Sequence, residues 1–484
     1  MLAGVRGTQA VLGASASSPK SFGARPPISA FTLQLRDSLA LANVRARLRQ
    51  QPNVQYVHPN VEYKVDSAPH LSDDPPLSSA NAFADSLDHL SVIRAVEGWV
   101  ETTGKASVRV GIIDTGIYFD HPDLAGQFWS NPDESKNGVD DDGNGYVDDV
   151  RGYDFVDRPG VAAAGEYDTR DPDPSPDPLG PFSGHGTAVA GVVSAQAADA
   201  DAGMVGVAPN THIVPLRAFA GDGRGQTDDI AAAIVYGAQQ GFDVLNLSFG
   251  RDRPAPLLRD AIEYAVSQGT VVVASAGNAG AVDTPHYPSD YPSVISVLWL
   301  AEDGDGVPDF SRSQYGIGVD LGAPGSNVFT TQYPRSRILD EAPVRQQDLY
   351  GPSSGSSFAA PQVAGAAALL RSVDSTLSPS SIRSILAGTA ADINGASWDH
   401  TTGAGRVDVA QGLLQSYPAQ TTLHAPGHNE GVTGAAPVPV VGTALDPSFE
   451  SYAAYVAEGT RNLDTRPDPW TRIAGPVPAR ARRD

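Results

Sequence analysis

VRVGIIDTG, residues 108–116, is a short apolar run that stops on a carboxylate, Asp114. Four more runs share its character: HIVPLRAF (212–219), DVLNLSF (243–249), TVVVASAG (270–277) and VISVLWL (294–300). Each is short, rich in β-branched residues and largely free of polar alternation, the pattern of a strand buried on both faces. Helical patterns lie between several of them, at 227–240 and 257–268, the second with Leu258, Ala261, Ile262, Ala265 and Val266 on one face. Strand alternating with helix predicts an α/β fold over residues 92–416, a doubly wound parallel sheet with helices on both faces. Such sheets bind ligands beyond the carboxyl ends of their strands, so chemistry is expected immediately after each run.

Composition narrows the function. Of 484 residues, 33 are Lys or Arg and 56 are Asp or Glu, leaving a net charge of -23. That balance speaks against nucleic acid or an anionic membrane as the main partner. The hydrophobic fraction of 41% supports a sizeable core, and 50 Gly with 39 Pro mark a loop-rich chain. With no cysteine, a disulfide framework, a Cys-ligated metal and a thiol nucleophile are all excluded. No apolar run reaches the roughly 18 residues that a membrane span requires. The opening MLAGVRGTQAVLG holds no apolar signal segment, and the native N-terminus is expected to lie upstream of it.

Outside the α/β unit the chain divides as follows. Residues 1–28 read as a leader or linker rich in Ser, Gly, Ala and Pro. Residues 29–65 form a small α+β module: Phe31, Leu33 and Leu35 alternate as in a strand, Leu41, Val44 and Leu48 share a helix face, and Val54, Tyr56 and Val57 begin a second strand. Residues 66–91 are a polar, Pro-rich linker and 417–484 a tail with short β-like pieces.

Three segments carry the chemistry. Asp114 ends the first core run, His185 in SGHGTAVAG precedes a small-residue helix, and Ser357 in GSSFAAPQVAG stands at the mouth of an Ala-rich helix. A hydroxyl needs a base to take its proton and a group to orient that base. Histidine suits the first task and a carboxylate the second. Gly186 and Gly355 permit close backbone approach, and a helix N-terminus at Ser357 favours a developing oxyanion. Asn278, in ASAGN, offers a further amide donor. Singly, each residue has an ordinary explanation as a turn, a cap or a satisfied core group. The four extended contexts together, in the order Asp, His, Asn, Ser, do not.

On these blocks the chain resembles the subtilisin-like serine proteases (subtilases), whose triad runs Asp, His, Ser along the sequence. The resemblance implies that Asp114 orients, His185 is general base, Ser357 is nucleophile and Asn278 completes the oxyanion hole. It implies a substrate cleft edged by Ser248, Phe249 and Gly250 on one side and by Gly223, Arg224 and Gly225 on the other, binding peptide by strand addition. Gly277 would help floor the pocket for the side chain before the scissile bond, and with Phe249 it points to a roomy apolar pocket. Ser356, Phe358 and Ala188 depart from the residues usual in these blocks without removing a reacting group. His185 argues against the sedolisin relatives, which carry Glu as the base. Residues 29–65 resemble the subtilase propeptide, an intramolecular inhibitor removed by self-cleavage in the 66–80 stretch. The resemblance further implies protein and peptide substrates and an extracellular location.

NGVDDDGNGYVDD, within an insert at 130–154, places Asp140, Asp142, Asn144, the Tyr146 carbonyl and Asp148 like the first nine positions of an EF-hand loop. Arg151 stands where a bidentate Glu would complete it, so Glu134 is expected to loop back. The expectation is structural calcium. Weaker candidates are Asp123, with Asp199 or Asp201, and the run of Asp303, Asp305 and Asp309. The tail resembles the opening of an appended β-sandwich module, too short to close one. The function expected is serine endopeptidase activity with autocatalytic propeptide removal. Its rivals are a catalytically silent, calcium-dependent binding or adhesion module on the same fold, and a processing protease restricted to a few substrates.

Overall fold

The computed structural model describes residues 45–46, 48–51, 54–66, 87–157, 170–197, 203–300, 312–316, 318–393 and 399–415, with strand backbone at 2–3, 30–31, 420–425, 441–445, 451–457 and 470–478. All five core runs become strands of one seven-stranded sheet. Its order is Leu321–Pro324, Ile295–Leu300, Val271–Ser275, Val244–Leu247, Arg109–Asp114, His212–Arg217, Tyr153–Asp154. Every neighbouring pair is parallel.

Period-two alternation sorts the strand residues between two buried faces. Val110, Ile112, Val244, Val271, Val273 and Ile295 pack with helices His185–Ser194 and Ser356–Val373. Ile113, Leu245, Leu247, Val272 and Ala274 pack with helices Thr227–Gln239 and Pro256–Ser267. The Ser356–Val373 helix is buried along nearly its whole length, which explains its Ala-rich, all-round apolar sequence. Pro361 lies inside it and cannot donate to the carbonyl four residues earlier, that of Ser357. Ser248 Oγ donates to that carbonyl instead, at 3.0 Å. The carbonyl left without its helical donor is thereby tied to the strand edge at 248–250.

After Arg109–Asp114 the chain adds its next strands on one side, then crosses to place Val244–Leu247 on the other. Asp114 therefore ends the strand at which the winding direction reverses, where open α/β sheets form their crevice. Residues 248–250 and 276–278 leave the sheet at the same carboxyl end.

The amino-terminal module departs from expectation. Val54 and Tyr56 form no ladder and Val57 makes only a single bridge; the strand forms later, at Glu62–Val65. Pro59, with no N–H to give, interrupts the earlier stretch, and the later stretch finds two partner edges in the 92–416 unit. Leu33, Leu35, Leu41 and Val44 lie outside the described residues, whereas Leu48 is helical and buried. The leader contributes a short strand, Leu2–Ala3, paired with Ala30–Phe31. Among the described residues, the tail forms two separate antiparallel pairs, Gln420–Ala425 with Val441–Leu445 and Ser451–Ala457 with Trp470–Pro478.

Candidate active site

Three chain segments from different elements converge at the crevice. Asp114 is the last residue of its strand, and its carboxylate accepts from Thr115 N at 2.7 Å. His185 opens its helix with Nδ1 2.8 and 2.9 Å from the two Asp114 carboxylate oxygens. Both side chains are buried, so the imidazole is held in one orientation with Nε2 turned away from the carboxylate. Nε2 is itself buried and makes no hydrogen bond.

Ser357 is the second residue of the central helix and is fully buried. Its Oγ donates to Ser248 O at 3.2 Å and not to His185. Gly355 precedes the helix at φ 140°, and a Cβ there would lie 3.0 Å from both Asn278 Nδ2 and Asp66 O, so a side chain would press on both. Asn278 is fixed at one end, because its Oδ1 accepts from Ser356 N at 2.8 Å. At the other end Nδ2 donates to the carbonyl of Asp66, in a short contact.

That carbonyl belongs to the strand Glu62–Val65 and the residue after it. The strand lies antiparallel between Arg224–Gln226 and Phe249–Gly250, with Tyr63 opposite Gly225, Lys64 opposite both Arg224 and Gly250, and Val65 opposite Phe249. Val65 N donates to Gly223 O and Asp66 N to Ser248 O, each at 3.1 Å. Both edges named from the sequence thus pair with one extended segment, and that segment is the chain's own. Asn60 Nδ2 donates to Asp228 at 2.6 Å, and Arg224 pairs with Glu62 at 3.1 Å, fastening it further.

The side-chain pockets differ from the apolar expectation. Phe249 lies against Tyr63 edge-on at 5.9 Å, three residues before Asp66, and the Arg251 guanidinium sits 5.5 Å over the same Tyr63 ring. The pocket for Asp66 is polar: Ser275 Oγ donates to its carboxylate at 2.6 Å, and His286 Nε2 lies 3.2 Å from it. Gly277 borders this pocket, with Gln314 and His286 closing on its α-carbon. Burial alone would push the His286 pKa down, but Asp66 and Asp290 outweigh it and hold it above the usual value. Sequence reasoning missed Ser275, His286 and Arg251. Ser275 stood in the quoted ASAGN, while HYPSDYP (286–292) reads only as a Pro-rich turn.

In the acidic insert, Glu134, Asp140 and Asp142 place carboxylate oxygens within 4.8 Å of one another. Asp148, with φ 58°, instead accepts from Asn137 N and Gly138 N at 2.8 Å, because its left-handed backbone turns the carboxylate to those amides. Asn144 Oδ1 caps Tyr146 N at 2.7 Å. Asp123 accepts from Met204 N and Tyr350 Oη, both at 2.8 Å, while Asp199, Asp201, Asp303, Asp305 and Asp309 lie outside the described residues.

A family model described as "Subtilase family" matches residues 105–405. The chain belongs to the subtilase family. It is 33% identical to the thermophilic serine proteinase of Bacillus sp. (strain AK1) over 339 residues, covering 69% of this chain and 68% of that one. It is 34% identical to thermitase of Thermoactinomyces vulgaris over 303 residues, 63% of this chain and 88% of the relative. Among solved structures, fervidolysin from Fervidobacterium pennivorans, described as a keratinolytic enzyme related to subtilisin, superposes with a TM-score of 0.65 at 26% identity. That match covers 87% of this chain and 62% of fervidolysin. This subtilase is a subtilisin-like serine endopeptidase by that membership.

Proposed function

We propose that Ser357 is the nucleophile, His185 the general base, Asp114 the group that orients it, and Asn278 a donor to the oxyanion. The observation that carries this reading is the Asp66 carbonyl, held by Asn278 Nδ2 beside the Ser357 helix N-terminus while its own strand fills the cleft. Rotation of the Ser357 hydroxyl away from Ser248 O presents its proton to Nε2 of His185. Oγ then bonds to the substrate carbonyl carbon as the proton passes to Nε2, and the oxygen becomes an oxyanion against Asn278. The Ser357 N–H, among the first of its helix, has no partner within it and faces the same need. His185 returns the proton to the leaving nitrogen as the C–N bond breaks. Water then cleaves the acyl-enzyme by the same steps. An organofluorophosphonate that stops casein hydrolysis while adding one adduct, on Ser357, would bear this out. Hydrolysis that continues with Ser357 fully labelled would refute it.

Residues 29–65 act, in this reading, as an intramolecular inhibitor whose last strand blocks the cleft until self-cleavage near the start of the 66–91 linker. Export from the cell is part of the same proposal; among the described residues no helix is long and apolar enough to cross a membrane.

Glu134, Asp140 and Asp142 would hold calcium. Three carboxylates this close repel one another unless a cation neutralises them, and their hard oxygens suit calcium, which needs further carbonyl or water ligands. Calcium at about a hundred times its dissociation constant stabilises a folded protein by roughly 2.7 kcal/mol. Chelator is therefore expected to lower Tm by several degrees in the wild type and to leave Glu134→Gln unmoved. An unchanged wild-type Tm would remove calcium from the proposal.

A further inference from the structure

We propose that this subtilase selects an acidic residue, aspartate foremost, immediately before the scissile bond, recognised by His286 and Ser275, and that its own maturation cut follows Asp66. The inference rests on the catalytic reading above and adds the substrate class. The Asp66 carbonyl is the one held by Asn278, so the side chain in the neighbouring pocket is that of the residue preceding the bond to be cut. That side chain is a carboxylate with both oxygens engaged, one by Ser275 Oγ at 2.6 Å and the other by His286 Nε2 at 3.2 Å.

The pocket is built around the imidazole. A Cβ on Gly250 would fall 2.0 Å from His286 Nε2, and one on Gly277 would fall 2.8 Å from His286 Cδ2, so only glycine at both walls admits the ring. Behind the ring, Nδ1 lies 3.0 Å from Ser289 Oγ, whose own hydroxyl donates to His286 O at 2.8 Å. With the hydroxyl proton spent there, Nδ1 donates to Ser289. Nε2 can then donate to Asp66 only as imidazolium. A neutral ring in that tautomer would set a lone pair against a carboxylate.

The alternatives fare worse. An apolar side chain in this pocket would leave His286 Nε2 and Ser275 Oγ buried without good partners, since the fallback for Ser275 is Leu247 O at 3.5 Å. An asparagine keeps the shape and loses the charge. Among the described residues, the groups facing His286 are Asp66 from the cleft strand, Asp290 on its own loop, whose Oδ2 accepts from His286 N at 3.0 Å, and the neutral Ser275, Ser289 and Gln314. A ring whose pKa is higher with the carboxylate bound than without it adds affinity fully below its free pKa. It loses that affinity as pH rises through the bound pKa. Preference for aspartate is therefore expected to decline toward alkaline pH, with no matching change for asparagine.

The test is a peptide panel, Tyr-Lys-Val-X followed by a common leaving segment, with X as Asp, Glu, Asn or Phe, cleaved by the mature enzyme after titration of Ser357 with organofluorophosphonate. Asp is expected to exceed Asn in kcat/KM by about ten- to a hundred-fold, as for hydrogen bonds to a charged group. His286→Leu is expected to erase that ratio and favour Phe; should the variant not fold, the wild-type ratio and its pH dependence still decide. A titratable enzyme that cleaves Asn or Phe as fast as Asp overturns the specificity and leaves the catalytic reading standing. A folded chain that neither cleaves any peptide nor takes the label overturns both.

Discussion

Ser357→Ala is expected to lower peptide hydrolysis by on the order of a million-fold and to leave the 484-residue chain at full mass. The size is that known for removal of the nucleophile from subtilisin, a member of the same family. No neighbouring group can take over. The chain has no cysteine, and Ser356 accepts from Gly277 N while its amide is committed to Asn278. Fold should survive, because among the described residues the Ser357 hydroxyl donates only to Ser248 O, and the helix around it is already alanine-rich. Intact mass in the presence of calcium reads the outcome. The wild type should lose its first residues through about Asp66, and the variant should lose none. A variant that hydrolyses casein at the wild-type rate would show that chemistry lies elsewhere, and a folded wild type that cuts neither itself nor its substrates would favour the silent binding-module reading.

Asn278→Ala comes second, with turnover expected to fall about 100- to 1,000-fold and KM to change little. The magnitude is again subtilisin's, for the corresponding asparagine. Asn278 holds the Asp66 carbonyl with one end and Ser356 N with the other, so truncation removes a donor aimed at developing charge and frees the helix amide that oriented it. The contribution grows in the transition state, as the carbonyl oxygen becomes an anion, which places the loss in kcat. Steady-state kinetics on one peptide separate the two constants. A rise in KM with kcat preserved would assign Asn278 to ordinary substrate binding.

Much of this was legible in the sequence because it rests on local signals. The five apolar runs fixed the parallel sheet, since strands buried on both faces cannot hide their composition. Asp114, His185 and Ser357 each stood at an element boundary marked by small residues. The segments at 223–225 and 248–250 came through the family resemblance as proposed cleft edges, and residues 62–66 pair with both. What sequence could not supply was anything assembled from distant parts without periodicity. His286 reaches the pocket from a Pro-rich turn, Ser275 from a strand end, and only the fold sets them around Asp66. The apolar pocket inferred from Phe249 and Gly277 failed for that reason: Phe249 serves Tyr63, three residues away. The second strand of the amino-terminal module shifted from 54 to 62 because its partners, Arg224–Gln226 and Phe249–Gly250, lie far along the chain, which no local pattern announces.

The strand at 62–65 seated in the cleft has a kinetic corollary. While the chain is continuous, occupant and cleft are one molecule, and the occupant's effective concentration is set by tethering and is untouched by dilution. Cutting the tether turns the same contacts into a bimolecular equilibrium, in which the severed piece competes at its actual concentration. Under the proposed inhibition, dormancy would thus be independent of how much enzyme is present, whereas release from it would become easier in dilute surroundings and harder where the enzyme accumulates.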